Sequence, residues 1–166
     1  MLLKSNWGHD SLSTSSLLLK LKKDGIISEK GFNAKLIKMI SLNYHHVIIN
    51  TETLKHAVES VNFYSSKKVL KTFNSLRNEN IPKENLIQMS LKFFKWLWLE
   101  NIPLEYKEKW TNIMLNIITV SNKSDKREII NIINDEKENL FSPLDPIHGE
   151  QFEKALNSWV AAQGII

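Results

Sequence analysis

The chain has 166 residues, 42% of them hydrophobic, with five Trp, seven Phe, only five Gly and four Pro, and no Cys. That length supports one domain or two small ones with a real core, and the aromatic content excludes a disordered chain. The absence of cysteine excludes a disulfide scaffold and thiolate metal sites, and fits a reducing compartment. The net charge is +4. It is uneven: residues 1–83 hold 13 Lys and Arg against 6 Asp and Glu, whereas residues 84–166 hold 9 against 12. A basic half attracts nucleic acid by neutralising phosphates; the alternative is that Lys-rich helices simply have solvated faces. With no apolar run of membrane-spanning length and no secretory leader pattern, the expectation is a soluble, cytoplasmic protein with no membrane partner.

Residues 13–23, STSSLLLKLKK, predict a short helix with Leu17, Leu18 and Leu21 as its apolar stripe and Asp24-Gly25 as its end. Ser28 is placed to cap a second helix over about 29–42, where Phe32, Leu36, Ile37, Met39 and Ile40 recur at helical spacing. His45–Asn50, HHVIIN, is the best strand candidate, with the strand itself at about 46–49. A continuous β-branched run suits a strand buried on both faces, and a lone strand needs partners that the remaining sequence does not supply.

Thr51 or Thr53 is expected to cap a helix near 52–61. The stretch from Ser65 then places Val69, Leu70, Phe73 and Leu76 on one face. Residues 83–100 are apolar nearly all round, which predicts a central buried helix opened by Pro82. Its Phe93, Phe94, Trp96 and Trp98 could stack on bases, but the Leu and Met between them mark a core. Further helices are expected over about 104–121, from Asp125 to about 138, and over 150–162, with SPLDPIHG (142–149) as a loop. The fold expected is mainly α, a multi-helix bundle with one short strand.

The chain carries no HExxH, no phosphate-binding glycine loop and no G-x-S-x-G turn. His45 and His46 are adjacent, which suits chelation poorly in a strand. Carboxylates are what remain for chemistry, and divalent-metal hydrolysis of phosphodiesters needs several of them together. Asp10, Glu52 and Glu59 are the acids that could form a cryptic site of this kind.

Residues 13–54, STSSLLLKLKKDGIISEKGF…LIKMISLNYHHVIINTETL, resemble the C-terminal part of a PIN-like nuclease domain. Thr14, Leu18, Leu19, Gly25 and Ile27 match its first helix and turn; Asn43, Tyr44, Val47 and Ile49 match the segment after its second. The resemblance implies an α/β fold that cleaves RNA with a metal held by clustered acids, most of which lie N-terminal to the matched segment. Asp10 is the one residue that could be a remnant of that site, and Mg²⁺ or Mn²⁺ enters only if it belongs to one; no other metal or cofactor site is expected.

The resulting expectation is a partial PIN-like segment over 1–62 and a helical domain over 63–166. Together they would form a non-catalytic helical module, or fragment, of a nucleic-acid-associated protein. Lys20, Lys22, Lys23, Lys67, Lys68 and Lys71 are its candidate contacts to RNA or DNA, and a protein supplying the missing α/β half is a candidate partner. The alternative is a helical protein–protein adaptor with no nucleic-acid role.

Overall fold

The computed structural model describes residues 14–44, 47–77, 81–121, 126–141 and 146–165. Among them are eight helices: α1 (Thr14–Lys23), α2 (Glu29–Ser41), α3 (Thr51–Glu59), α4 (Lys67–Ser75), α5 (Lys83–Leu99), α6 (Leu104–Ser121), α7 (Lys126–Leu140) and α8 (Pro146–Ala162). The mainly helical expectation therefore holds. Helix α5 is the central element, packing on α3, α6, α7 and α8. Its Leu86, Ile87, Leu91, Phe93, Phe94, Leu97 and Trp98 are buried, so the aromatic run is core and Trp96 alone of it is half-buried. One apolar cluster extends from Phe32 in α2 to Trp159 in α8 and includes side chains on both sides of residues 62–63.

Helix ends show why these segments stop where they do. Ser28, Asn50 and Ser66 each accept a hydrogen bond from a backbone N–H three residues on, at 3.1, 2.9 and 3.3 Å. The cap of α3 is thus Asn50, not Thr51 or Thr53. Three helical ends close in the same way. After α1, Ile26 N–H donates to the Leu21 carbonyl across Gly25 at φ 71°. After α2, Tyr44 N–H donates to the Met39 carbonyl across Asn43 at φ 62°. After α3, Phe63 N–H donates to the Val58 carbonyl across Asn62 at φ 49°. In each a left-handed residue satisfies carbonyls the helix leaves open, and Asn tolerates that conformation better than other side chains do.

Four expectations need correction. Residues 47–50 form no strand, while His45 and His46 lie outside the described residues. Val47 and Ile49 are buried and Ile48 between them is exposed. Val47 and Ile49 join the same apolar cluster as the buried residues of the helices. In α1 the inward face is Ser15, Leu18, Leu19 and Lys22, a strict i, i+3, i+4, i+7 set, and Leu17 faces out. Pro82 precedes the first residue of α5 as its N-cap. Finally, α8 begins at Pro146, so PIHG belongs to a helix rather than a loop. Proline suits the first helical position because its missing N–H would have no partner there.

Buried polar groups are matched. Trp98 Nε1–H donates to Thr111 Oγ1 at 2.9 Å, and Trp110 Nε1–H to the Phe63 carbonyl at 2.8 Å. Trp159 Nε1–H donates to Asn116 Oδ1 at 3.1 Å. Lys107, only 5% exposed, donates to the Trp98 carbonyl at 2.7 Å near the C-terminal end of α5, where the helix dipole favours a cation. No helix among the described residues is long and apolar enough to cross a membrane.

Candidate nucleic-acid interface

Helices α1 and α2 run antiparallel. Lys22 pairs with Glu29 at one end, and Thr14 and Tyr44 line one groove at the other. Helix α4 packs on the far side of this pair, touching α2 but not α1. Together α1, α2 and α4 carry nine lysines and a single acid, Glu29. The acid is itself paired with Lys22. By contrast α3 carries Glu52 and Glu59 against Lys55. The positive charge of the N-terminal half is therefore concentrated on α2 and the two helices that pack against it.

Of the six lysines singled out in the sequence, Lys20, Lys23, Lys67 and Lys68 are exposed. The other two are engaged. Lys22 pairs with Glu29 and lies 5.2 Å from the centre of the Phe32 ring. Lys71 donates to the Ser41 carbonyl at 2.8 Å, closing the C-terminal end of α2. The six do not form one cluster. The α1 group sits at the N-terminal end of α2, and Lys71 at its C-terminal end. Lys30, Lys35 and Lys38 of α2 are also exposed and bridge the interval. These three are not among the candidates named from the sequence; their spacing along a single helix is the signal that marks them.

Two concavities open on this half of the molecule. One, of about 280 Å³, is lined by Glu29, Lys30 and Asn33 of α2 and by Glu52, Lys55, His56 and Glu59 of α3. The α3 residues follow the i, i+3, i+4, i+7 spacing of one helix face. Glu52 and Glu59, two of the three acids considered for a cryptic metal site, thus share a pocket; Asp10 lies outside the described residues. Glu52 accepts from Lys55 at 2.8 Å. Asn33, buried at the base, donates to Glu29 at 3.4 Å and accepts from Thr53 Oγ1 at 2.9 Å. Among the described residues no group of three or more His, Asp or Glu is arranged to hold a metal ion.

The second concavity is a groove of about 230 Å³ between α1 and the end of α2, lined by Thr14, Leu18, Lys35, Lys38, Met39, Leu42 and Tyr44. Among the described residues its apolar lining is Leu18, Met39 and Leu42, its charged lining is two lysines, and no acid lines it. Tyr44 is 52% exposed and is held in place by its N–H bond to the Met39 carbonyl at 3.1 Å. Elsewhere, Tyr64, in the α3–α4 connection, and Tyr106 of α6 meet edge to face at 5.3 Å. Their shared side-chain hydrogen bond, more than desolvation, pushes the Tyr106 hydroxyl up to about 12. Comparison with known protein families, curated proteins and solved structures finds no match to this chain.

Proposed function

We propose that this chain is a non-catalytic helical module that binds nucleic acid, RNA or DNA, through the face built by α1, α2 and α4. The observation that carries the reading is the ratio of nine lysines to one acid on those three packed helices. Seven of the lysines are exposed. Ammonium groups spaced along neighbouring helices meet successive phosphates and release their counterions, which is a sequence-independent source of affinity. The resemblance of residues 13–54 to PIN-like domains is a second support, because that family acts on RNA. A cytoplasmic setting accords with the lack of cysteine.

Titration of labelled single-stranded RNA and double-stranded DNA against the full chain at 50 and 200 mM salt tests this reading. If about four lysines meet phosphates, the logarithm of the association constant falls against log salt with a slope of about −3 on a single strand. Absence of binding at 50 mM salt would remove the reading and leave the protein–protein adaptor. Mg²⁺- or Mn²⁺-dependent RNA cleavage abolished by Asp10→Ala would instead show that the module is catalytic.

A further inference from the structure

Resting on the nucleic-acid reading above, we infer that the groove between α1 and the end of α2 receives an unpaired nucleobase, so that the partner is single-stranded. Phosphate binding by itself needs only exposed lysines. An apolar slot between lysines has no use for a phosphate and is what a base requires once it leaves a stack. Leu18, Met39 and Leu42 line that slot. Tyr44 gives it a half-exposed aromatic ring, the stacking surface on which single-strand binders rely.

Charge selects the occupant. Lys35 and Lys38 stand one helical turn apart on the wall, no acid among the described residues lines the groove, and Lys20 and Lys23 lie exposed farther along α1. These lysines favour a phosphate-bearing chain. The C-terminal end of α2, where Tyr44 stands, would ordinarily repel phosphate through its partial negative charge. Lys71, bound to the Ser41 carbonyl at 2.8 Å, and Lys38 in the last turn offset that repulsion. At about 230 Å³ the groove is smaller than the roughly 300 Å³ at which pockets for drug-sized ligands begin, and it suits one planar heterocycle.

Tyr44 is also fixed before any ligand arrives. The turn through Asn43 at φ 62° sets its backbone by two hydrogen bonds, Asn43 N–H to the Ile40 carbonyl and Tyr44 N–H to the Met39 carbonyl, both 3.1 Å. A ring on a closed turn loses less freedom on stacking than one on an open loop.

The test is fluorescence anisotropy with a labelled 12-nucleotide single strand and a duplex of the same length, at 50 mM salt, on the full chain and on Tyr44→Ala and Tyr44→Phe. Circular dichroism confirms that the variants fold. The expected result is that the single strand binds at least fivefold more tightly than the duplex. Tyr44→Ala weakens single-strand binding by about 5- to 100-fold and leaves duplex binding unchanged, and Tyr44→Phe retains it. Equal binding of both forms, or indifference to Tyr44→Ala, overturns the inference while the nucleic-acid reading stands. Loss of all binding at low salt removes both. A dimer in light scattering that Tyr44→Ala abolishes would place a second copy of the chain in the groove, and would overturn the inference too.

Discussion

Replacing Trp110 by Phe probes the joint between the N-terminal helices and the C-terminal bundle. Trp110 in α6 is fully buried, lies 5.0 Å from the Phe73 ring of α4, and donates its indole N–H to the Phe63 carbonyl at 2.8 Å. Phe63 sits at φ 64°, a left-handed conformation that an aromatic residue adopts only when its surroundings hold it there. Its ring stacks on Trp96 at 5.9 Å. Phenylalanine keeps most of the packing but deletes the donor, and leaving the part-buried Phe63 carbonyl unsatisfied costs about 1–3 kcal/mol. The smaller ring leaves a void of roughly 40 Å³, which adds about 1 kcal/mol at about 24 cal/mol per Å³. The expected loss is about 2–4 kcal/mol, or a fall in Tm of roughly 4–16 °C for a chain of this size. Urea and thermal denaturation followed by circular dichroism read both quantities. A Trp110→Phe variant within 0.5 kcal/mol of the parent would refute the claim that this bond holds the α3–α4 turn to α6.

Three further outcomes follow from the same geometry. Thr53→Val removes the buried hydroxyl that donates to Asn33 at 2.9 Å and should cost about 1–2 kcal/mol in urea unfolding, while Thr53→Ser should cost distinctly less. Asn43→Ala should destabilise by about 1 kcal/mol and Asn43→Gly should not, because only glycine enters the left-handed region without penalty; thermal melts of the two variants decide it. Tyr106 should ionise near pH 12 when absorbance at 295 nm is followed against pH, and Tyr64→Phe should lower that midpoint. The sign follows from the raised value: stability owed to the protonated Tyr106 is whole below pH 10 and drains away as pH climbs toward 12.

What the sequence could and could not tell divides along physical lines. Helix α5 was legible because its apolar residues cover most of the circumference, and only burial between neighbours accounts for that. The inward faces of α2 and α4 were legible from spacing: Phe32, Leu36, Phe73 and Leu76 are all buried as expected. The segment Val47–Ile49 misled because β-branching reports suitability for extended backbone and says nothing of what lies beside it. Pro146 misled because proline marks both turns and first helical positions. The left-handed turns at Asn43 and Asn62 were not legible because Asn serves helix starts, loops and left-handed ends alike, and only the backbone angle tells which. The groove was not legible at all, since Leu18 and Tyr44 come together only once α1 and α2 fold back on each other.

The central claim is that α1, α2 and α4 bind nucleic acid through their lysines, and charge removal tests it most directly. One variant changes the exposed Lys20, Lys23, Lys67 and Lys68 to Ala; its control changes the equally exposed Lys92, Lys95, Lys109 and Lys154 to Ala. Both carry the same net charge. The account predicts that the first variant loses at least tenfold in single-strand affinity at 50 mM salt and shows a shallower salt slope, while the control stays within about threefold of the parent. Equal losses in the two variants, or no binding by the parent protein, would contradict it.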